Sequence, residues 1–244
     1  MKYTREDLRR HIETEHKGSP FAVYLKEIVY GGNDGIVTTF AVVAGFAGAQ
    51  SSNSMQIGYL AVLLFGLANL FADAASMGLG NFLATRSDQD LYRQEKQKER
   101  EEIEKNHLME VAETKQLLME RGFDPVDAGK LVEIYSKNTN YWADFMMKYE
   151  LGMEDVQDEN PVFTALATFI AFITFGFIPL VPYVFFAGAA NTFEYAIAFT
   201  AFALVLLGIL RWRVTGVAMF QSIGEIVLIG GVSAGIAYFV GTLF

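Results

Sequence analysis

Carboxylate side chains stand inside segments of this chain that are otherwise almost entirely apolar. Asp34 follows two glycines and an asparagine in the first apolar stretch, and Asp73 interrupts the second. Carboxylates are costly in lipid, so they usually mark an ion or proton path there. Asn69 and Met77 each lie four residues from Asp73, which places the three on one helical face. We expect Asp34 and this polar stripe to line a cation path.

A third acidic residue, Glu225, lies in the last apolar stretch. It follows Arg213 by 12 residues, so a helical rise of ~1.5 Å per residue puts it near the middle of a membrane. Two roles are open for it. Glu225 either relays protons or pairs with a group on a neighbouring helix.

Glutamates recur at helical spacing in the charged segment 86–160, which holds 19 of the 28 acidic residues. Residues 91–121 contain neither proline nor glycine, which predicts one long helix continuing from the second apolar stretch. A helical wheel places five glutamates within about 60° of one another. They are Glu95, Glu99, Glu102, Glu110 and Glu113. Because like charges on one face repel, this pattern favours a bound cation over a merely solvated face.

Further metal ligands are predicted near residue 150. Met146, Met147 and Glu150 occupy positions i, i+1 and i+4, so one face can offer thioether and carboxylate together. Softer divalent ions use thioethers, whereas magnesium and calcium do not need them. The alternative for this whole segment is a solvated charged surface with an ordinary apolar contact.

The composition excludes several classes of protein. The chain contains no cysteine, which excludes disulfides, thiolate zinc sites and iron–sulfur clusters. Its net charge is −9, and its acidity is concentrated in one segment, which argues against a nucleic-acid partner. We find no nucleophile elbow, phosphate-binding loop or histidine-centred zinc motif, so we do not expect an enzyme.

Five stretches are long and apolar enough to cross a bilayer, which needs about 20 residues in a helix. They lie at 28–49, 57–83, 162–187, 192–210 and 214–244. We therefore predict an all-α integral membrane protein with a helical domain inserted between spans two and three. The predicted segments are an N-terminal tail (1–27), spans one and two (28–85), the inserted metal-binding domain (86–160) and spans three to five (161–244).

Lysine and arginine content predicts the orientation. The N-terminal tail, the insertion and the connection after the fourth span carry basic residues, whereas the connections 50–56 and 188–191 carry none. Basic loops remain in the cytosol. With five spans all of them fall on one side, so we expect a cytosolic N-terminus and insertion and a C-terminus on the opposite side.

Three segments of the chain resemble the vacuolar iron transporter family. They are YGGNDGIVTTFAVVAGFAGA in the first span, SMGLGNFLATRS at the end of the second, and DFMMKYELG in the insertion. The similarity extends over nearly the whole chain. It implies a homodimer that moves ferrous iron, or a similar divalent ion such as manganese, out of the cytosol in exchange for protons. We expect iron as the bound metal, with manganese and zinc as alternatives. The membrane would be the plasma membrane of a prokaryote or the vacuolar membrane of a eukaryote.

The resemblance also assigns roles to residues. It places the first-span aspartate at Asp34 and the Ser-Met-Gly methionine at Met77. It places the metal-binding side chains of the insertion at Glu99, Glu102, Glu110, Glu113, Glu150, Met146 and Met147. One position departs from the pattern, since plant members carry a glutamate where Asn69 stands. Asp73, one turn on, is a candidate substitute, and the difference bears on proton coupling and metal preference.

Two other classes compete with a transporter. Glu104 and His107 form a Glu-x-x-His match, which is typical of di-iron carboxylate oxidases and ferritin-like storage proteins. Such proteins usually take this motif from two helices, and the chain has one copy. The other class is a membrane interaction protein without transport, which would not need two buried aspartates at one depth.

Overall fold

The computed structural model describes residues 3–16, 20–52, 58–186 and 191–242, and regular structure in these ranges is helical. The helices are α1 (Arg5–His11), α2 (Pro20–Val23), α3 (Leu25–Ser52), α4 (Tyr59–Lys105), α5 (His107–Glu120), α6 (Pro125–Tyr135), α7 (Thr139–Tyr149), α8 (Pro161–Gly176), α9 (Val181–Phe185), α10 (Thr192–Thr215) and α11 (Met219–Gly241). A π-helix (Ile12–His16) follows α1, and a 3-10 turn (Ile178–Leu180) separates α8 from α9. The predicted basic-free connections lie largely outside the described ranges.

The chain divides into two compact units. Residues 1–82 and 162–244 form the first unit, and residues 83–161 form the second. Helix α4 contributes residues to both. Its 47 residues make it about 70 Å long, more than twice the ~30 Å hydrocarbon core of a bilayer.

Four described segments are long and apolar enough to cross a membrane. They are Tyr59–Lys105, Pro161–Phe185, Thr192–Thr215 and Met219–Val240. The predicted first span corresponds to α3, which has 28 residues and is therefore long enough. Its glycines, together with Asn33 and Asp34, lower its mean hydropathy. The helix breaks after α8 at Pro179, which lies in the 3-10 turn, and Pro182 lies in the first turn of α9, where the missing backbone N–H is tolerated.

Glycines bring α3 and α8 into backbone contact around Asp34. A Cβ atom added at Gly31 would lie 2.7 Å from the carbonyl oxygen of Thr168, and one added at Gly176 would lie 2.7 Å from that of Gly35. Neither position has room for a side chain. The glycines on either side of Asp34 therefore allow the turn of α3 that contains Asp34 to pack directly against the backbone of α8.

The prediction of one unbroken helix over residues 91–121 is wrong. Helix α4 ends at Lys105, and α5 begins at His107. Asn106 lies between them with φ −121° and ψ 32°, which is not helical. The predicted continuity of this segment with the second apolar stretch is confirmed, because α4 runs from Tyr59 without interruption.

The second unit has its own hydrophobic core. Trp142 and Ala143 of α7 are fully buried there, together with Leu118 of α5 and Val132 of α6. Asp124 caps α6 by accepting hydrogen bonds from the backbone of Val126 and Asp127, at 2.8 and 3.1 Å. This core fixes α5, α6 and α7 with respect to one another.

Candidate metal path and metal centre

Asp34 and Asp73 are neighbours in the first unit. Both side chains are half-buried, and their carboxylates are near enough to repel each other electrostatically. The side-chain amide of Asn69 donates a hydrogen bond to the Asp73 carboxylate at 2.7 Å. Asp34 of α3 thus lies within electrostatic reach of the hydrogen-bonded pair Asn69 and Asp73 on α4. Its role in transport stays a prediction.

The polar stripe on α4 does not continue as one surface. Met77 packs against the apolar cluster that includes Leu70, Ala74 and Phe172. Asn81 donates a hydrogen bond to the Thr168 hydroxyl of α8 at 2.8 Å. Met77 is therefore in contact with the core of this subunit. The structure does not test whether it also binds metal.

Sequence reasoning missed Asn33, which precedes Asp34. Its side-chain oxygen is buried and has no hydrogen-bond partner among the described residues. A buried amide oxygen without a donor is costly, and carbonyl oxygen is a good ligand for divalent cations. The sequence offered one signal, which is that Asn33 and Asp34 stand together in a glycine-rich run. The absence of a hydrogen-bond partner for the Asn33 side-chain oxygen among the described residues is visible in the structure alone.

Glu225 forms an ion pair across two helices. Its carboxylate lies 2.6 Å from the Arg211 guanidinium of α10, and the Gln221 amide donates to its other oxygen at 3.0 Å. Of the two roles considered for Glu225, the structure thus shows the pairing. A part in proton transfer stays a prediction.

Three glutamates converge in the second unit. Oxygen atoms of Glu99 on α4, Glu110 on α5 and Glu150 at the end of α7 all lie within 4.8 Å of one another. Glu99 and Glu110 are 3% and 4% exposed. One oxygen of each, Oε1 of Glu99 and Oε2 of Glu110, is buried without a hydrogen-bond partner. We call these three residues the acid cluster.

Burial and mutual repulsion make the acid cluster hold protons near neutral pH. Desolvation by burial, reinforced by the charges of Glu110 and Glu150, raises the pKa of Glu99 to about 8. Desolvation, with the charge of Glu113 next in size, raises the pKa of Glu110 to about 7. Burial and the charges of Glu113 and Glu102 also raise the pKa of Glu150. Glu102 and Glu113 thus lie close enough to act on the acid cluster.

The structure brings the predicted glutamates together by a different geometry from the one expected. On a single helix, Glu99 and Glu110 would be separated by about 16 Å along the axis. The break at Asn106 lets α5 fold back, so that the two carboxylates meet. Glu95 is the exception, because it pairs with Lys98 at 2.6 Å and does not contribute to the raised pKa values of the acid cluster.

Met146 and Met147 are both fully buried. Met146 belongs to the core of the second unit, and its sulfur accepts a hydrogen bond from the Thr114 hydroxyl at 3.2 Å. Its carbonyl oxygen accepts a hydrogen bond from the backbone N–H of Glu150 at 2.8 Å. Thr114 and Glu150 link Met146 to the acid cluster. Whether the sulfurs bind metal stays a prediction.

The Glu-x-x-His match is divided by the helix break. Glu104 lies in the last turn of α4 and His107 begins α5, so the two residues do not share a helix face. The His107 ring packs edge-on against Trp142, with centroids 5.3 Å apart. In the part of the chain that the structure describes, the acid cluster is the group whose ligand atoms lie close enough to hold a metal ion, and its three members are all glutamates.

Residues 25–242 match the sequence profile of the VIT family. The chain belongs to that family. Family membership thus extends over residues of both units, including the Asp34 group and the acid cluster. Combined with the apolar helices, it makes the chain an integral membrane protein.

Named relatives are similar over most of their own length. The chain is 35% identical to vacuolar iron transporter 1 of Arabidopsis thaliana over 214 residues, 88% of this chain and 83% of the relative. Vacuolar iron transporter 1 of Oryza sativa subsp. japonica is 34% identical over 214 residues, covering 88% and 82%. The vacuolar iron transporter of Toxoplasma gondii is 34% identical over 249 residues, covering 97% and 80%.

Proposed function

We propose that this protein moves ferrous iron, or a similar divalent ion such as manganese or zinc, out of the cytosol in exchange for protons. The observation that carries the proposal is that Asp34 of α3 and Asp73 of α4 lie within electrostatic reach of each other in a chain that belongs to the VIT family. The relatives are named iron transporters. Two carboxylates in a region of low dielectric repel each other unless a cation or a proton lies between them.

The same repulsion provides the exchange. A divalent ion at Asp34 and Asp73 displaces protons, and protons from the far side displace the ion. The Asn69 amide orients one carboxylate, and the unpaired oxygen of Asn33 offers a further ligand. This site would be the place where metal and proton compete.

The acid cluster collects metal from the cytosol in this proposal. Its carboxylates are protonated in part near neutral pH, and a divalent ion would replace those protons while relieving the repulsion. Glu102 and Glu113 add negative charge nearby, and Met146 and Met147 supply thioether sulfur. The unpartnered oxygens of Glu99 and Glu110 favour this role over a solvated acidic surface.

We further propose five spans, with α3 as the first, and a homodimer. An apolar groove of about 900 Å³ is lined by α3, α4 and α11, and Asn69 lies in its wall. The lining includes Ala41, Gly45, Ala68 and Ala72. Such small side chains permit close helix contact in a membrane. A second subunit packed there would bring two sets of Asp34, Asn69 and Asp73 to one axis.

The competing function is a membrane-bound carboxylate oxidase or storage protein. The divided Glu-x-x-His match and the glutamate-only acid cluster argue against it. Sealed proteoliposomes separate the two functions. A transporter accumulates ferrous iron in the lumen when the lumen is acidic, and a protonophore stops the uptake. A protein that binds or oxidises iron without filling the lumen would contradict the proposal.

Orientation can be tested separately because the chain has no cysteine. A single cysteine at the exposed position Glu104 should react with a membrane-impermeant thiol reagent applied to the cytosolic face of oriented vesicles. Reaction from the opposite face alone would place residues 86–160 outside the cytosol and reverse the direction of transport.

A further inference from the structure

A chain of hydrogen bonds runs through the core of the second unit and ends at the sulfur of Met146. The indole N–H of Trp142 donates to the hydroxyl oxygen of Thr114 at 2.7 Å. The Thr114 hydroxyl lies 2.7 Å from the carbonyl oxygen of Glu110 and 3.2 Å from the Met146 sulfur. All three side chains are fully buried. These bonds are therefore shielded from bulk solvent.

The direction of these bonds follows from the chemistry of the groups. An indole nitrogen can only donate, so it occupies an acceptor position on the Thr114 oxygen. The single hydroxyl proton must then point away from Trp142, and it is shared between the Glu110 carbonyl at 2.7 Å and the Met146 sulfur at 3.2 Å. The Thr114 hydroxyl therefore contacts the backbone carbonyl of Glu110, which belongs to the acid cluster. The same hydroxyl also contacts the thioether sulfur of Met146.

Met146 is linked to the acid cluster by two hydrogen bonds, one from Thr114 and one from the backbone of Glu150. Thr114, its hydrogen-bond donor, is one helical turn from Glu110, and the Met146 carbonyl accepts the backbone N–H of Glu150 at 2.8 Å. A methionine side chain has three rotatable bonds and ordinarily fills space without a fixed orientation. The Thr114 hydroxyl 3.2 Å from its sulfur restricts that freedom.

We propose that Thr114 and Trp142 are positioning residues that fix the Met146 sulfur and so set the preference of the acid cluster for softer over harder divalent ions. The inference rests on the proposed metal binding. Neither residue would touch the metal. Their effect would be on selectivity, because a well-placed thioether adds affinity for a softer ion and little for a hard one.

The test compares cobalt with manganese, two air-stable divalent ions that differ in their affinity for softer ligands. Calorimetry on the full chain in nanodiscs gives the ratio of the two affinities. The triple variant Glu99→Gln, Glu110→Gln, Glu150→Gln supplies the background from sites elsewhere. We expect Thr114→Val to lower the cobalt-to-manganese affinity ratio about fivefold. Thr114→Ser keeps the hydroxyl and should therefore keep the wild-type ratio.

Two controls separate positioning from loss of structure. Val132→Ala damages the same core without touching the hydrogen-bond chain, so it should lower the unfolding temperature and leave the ratio unchanged. Thr114→Val leaves the indole N–H without an acceptor, so it is also combined with Trp142→Phe, which removes that donor. The double variant should show the same lowered ratio with less loss of stability.

A double-mutant cycle decides the outcome. Met146→Leu should lower the ratio by itself, and adding Thr114→Val to it should change nothing more. A Thr114→Val ratio equal to that of the wild type, or a Thr114→Val effect that persists without Met146, would overturn the inference while leaving the proposed function standing. Wild-type heats no larger than those of the triple glutamine variant would instead refute metal binding at the acid cluster.

Discussion

The two acidic groups of this molecule differ in the number of carboxylates and in what satisfies them. In the first unit, Asp34 and Asp73 form a pair, and Asp73 receives an amide hydrogen bond from Asn69. In the second, three glutamates lie within 4.8 Å, and two of them have buried oxygens without partners. The Asp73 carboxylate is therefore partly satisfied by the protein itself, whereas the acid cluster has buried oxygens that a bound cation would satisfy.

The largest effect that would test this contrast is expected at Asp34. Asp34→Asn removes the charge that metal and proton share, so uptake into proteoliposomes should fall to background. Calorimetric binding at the acid cluster should be unchanged, because that cluster lies in the other unit. Uptake by this variant at the wild-type rate, with matched protein per vesicle, would show that Asp34 is not on the path.

The second effect concerns the acid cluster. Glu99→Gln combined with Glu110→Gln removes two ligands, so metal affinity there should fall by at least about tenfold. Uptake should slow mainly at low metal concentration, with the maximal rate little changed. Glu102→Gln with Glu113→Gln should act in the same direction.

Glu101→Gln is the matched control for this prediction. Glu101 lies on the same helix but pairs with Lys105 at 2.9 Å, outside the acid cluster. If it lowered metal affinity as much as the double variant does, the loss would reflect net charge and not a defined site.

The third effect is on pH. Because burial raises the pKa of Glu99 to about 8 and that of Glu110 to about 7, the folded metal-free chain retains protons that the unfolded chain releases above pH ~4.5. The contribution of Glu99 and Glu110 to stability should therefore be fully present below pH ~4.5 and should be lost as pH rises through 7 and 8. Metal affinity should change in the opposite direction, by about tenfold per pH unit for each proton displaced.

Thermal unfolding from pH 5 to 8.5, with and without manganese, measures both trends. Glu110→Gln, which cannot ionise, should flatten the decline in the metal-free protein. A metal-free protein that grows more stable across this range would be incompatible with buried, protonated glutamates.

The smallest effect is expected at Met77. Met77→Ala should slow iron transport more than manganese transport, because manganese depends less on thioether ligands. The measurement is the ratio of the two uptake rates. Equal slowing of both ions would assign Met77 to packing alone, which its contacts with the apolar cluster already explain in part.

The membership of the two acidic groups was predictable from the sequence to different degrees. The sequence predicts that Asp34 and Asp73 lie at similar depth, because each position along its apolar stretch determines its depth in the membrane. This prediction does not depend on where a helix breaks and folds back. The glutamates were grouped by a wheel drawn on one straight helix, which Asn106 interrupts. Glu99 and Glu110 nevertheless come together across the break, whereas Glu95, on the same wheel, pairs with Lys98.

The contacts that depend on distant partners were beyond the sequence. Nothing in the spacing of residues 31–35 shows that the glycines press against Thr168 and Phe172 of α8. The sequence leaves both predicted roles of Glu225 open, because it does not show that Arg211 on a neighbouring helix is the partner of Glu225. Such contacts arise from packing between helices, which single-sequence periodicity does not encode.

The tryptophans give each unit its own optical reporter. The chain has two, and Trp142 lies fully buried in the second unit, whereas Trp212 lies in the first with the Arg213 guanidinium 5.4 Å from its ring. In a Trp212→Phe variant, only Trp142 in the core of the second unit would fluoresce. In a Trp142→Phe variant, only Trp212 in the first unit would fluoresce. Stopped-flow emission from these two single-tryptophan proteins would time metal arrival at each unit without an added dye.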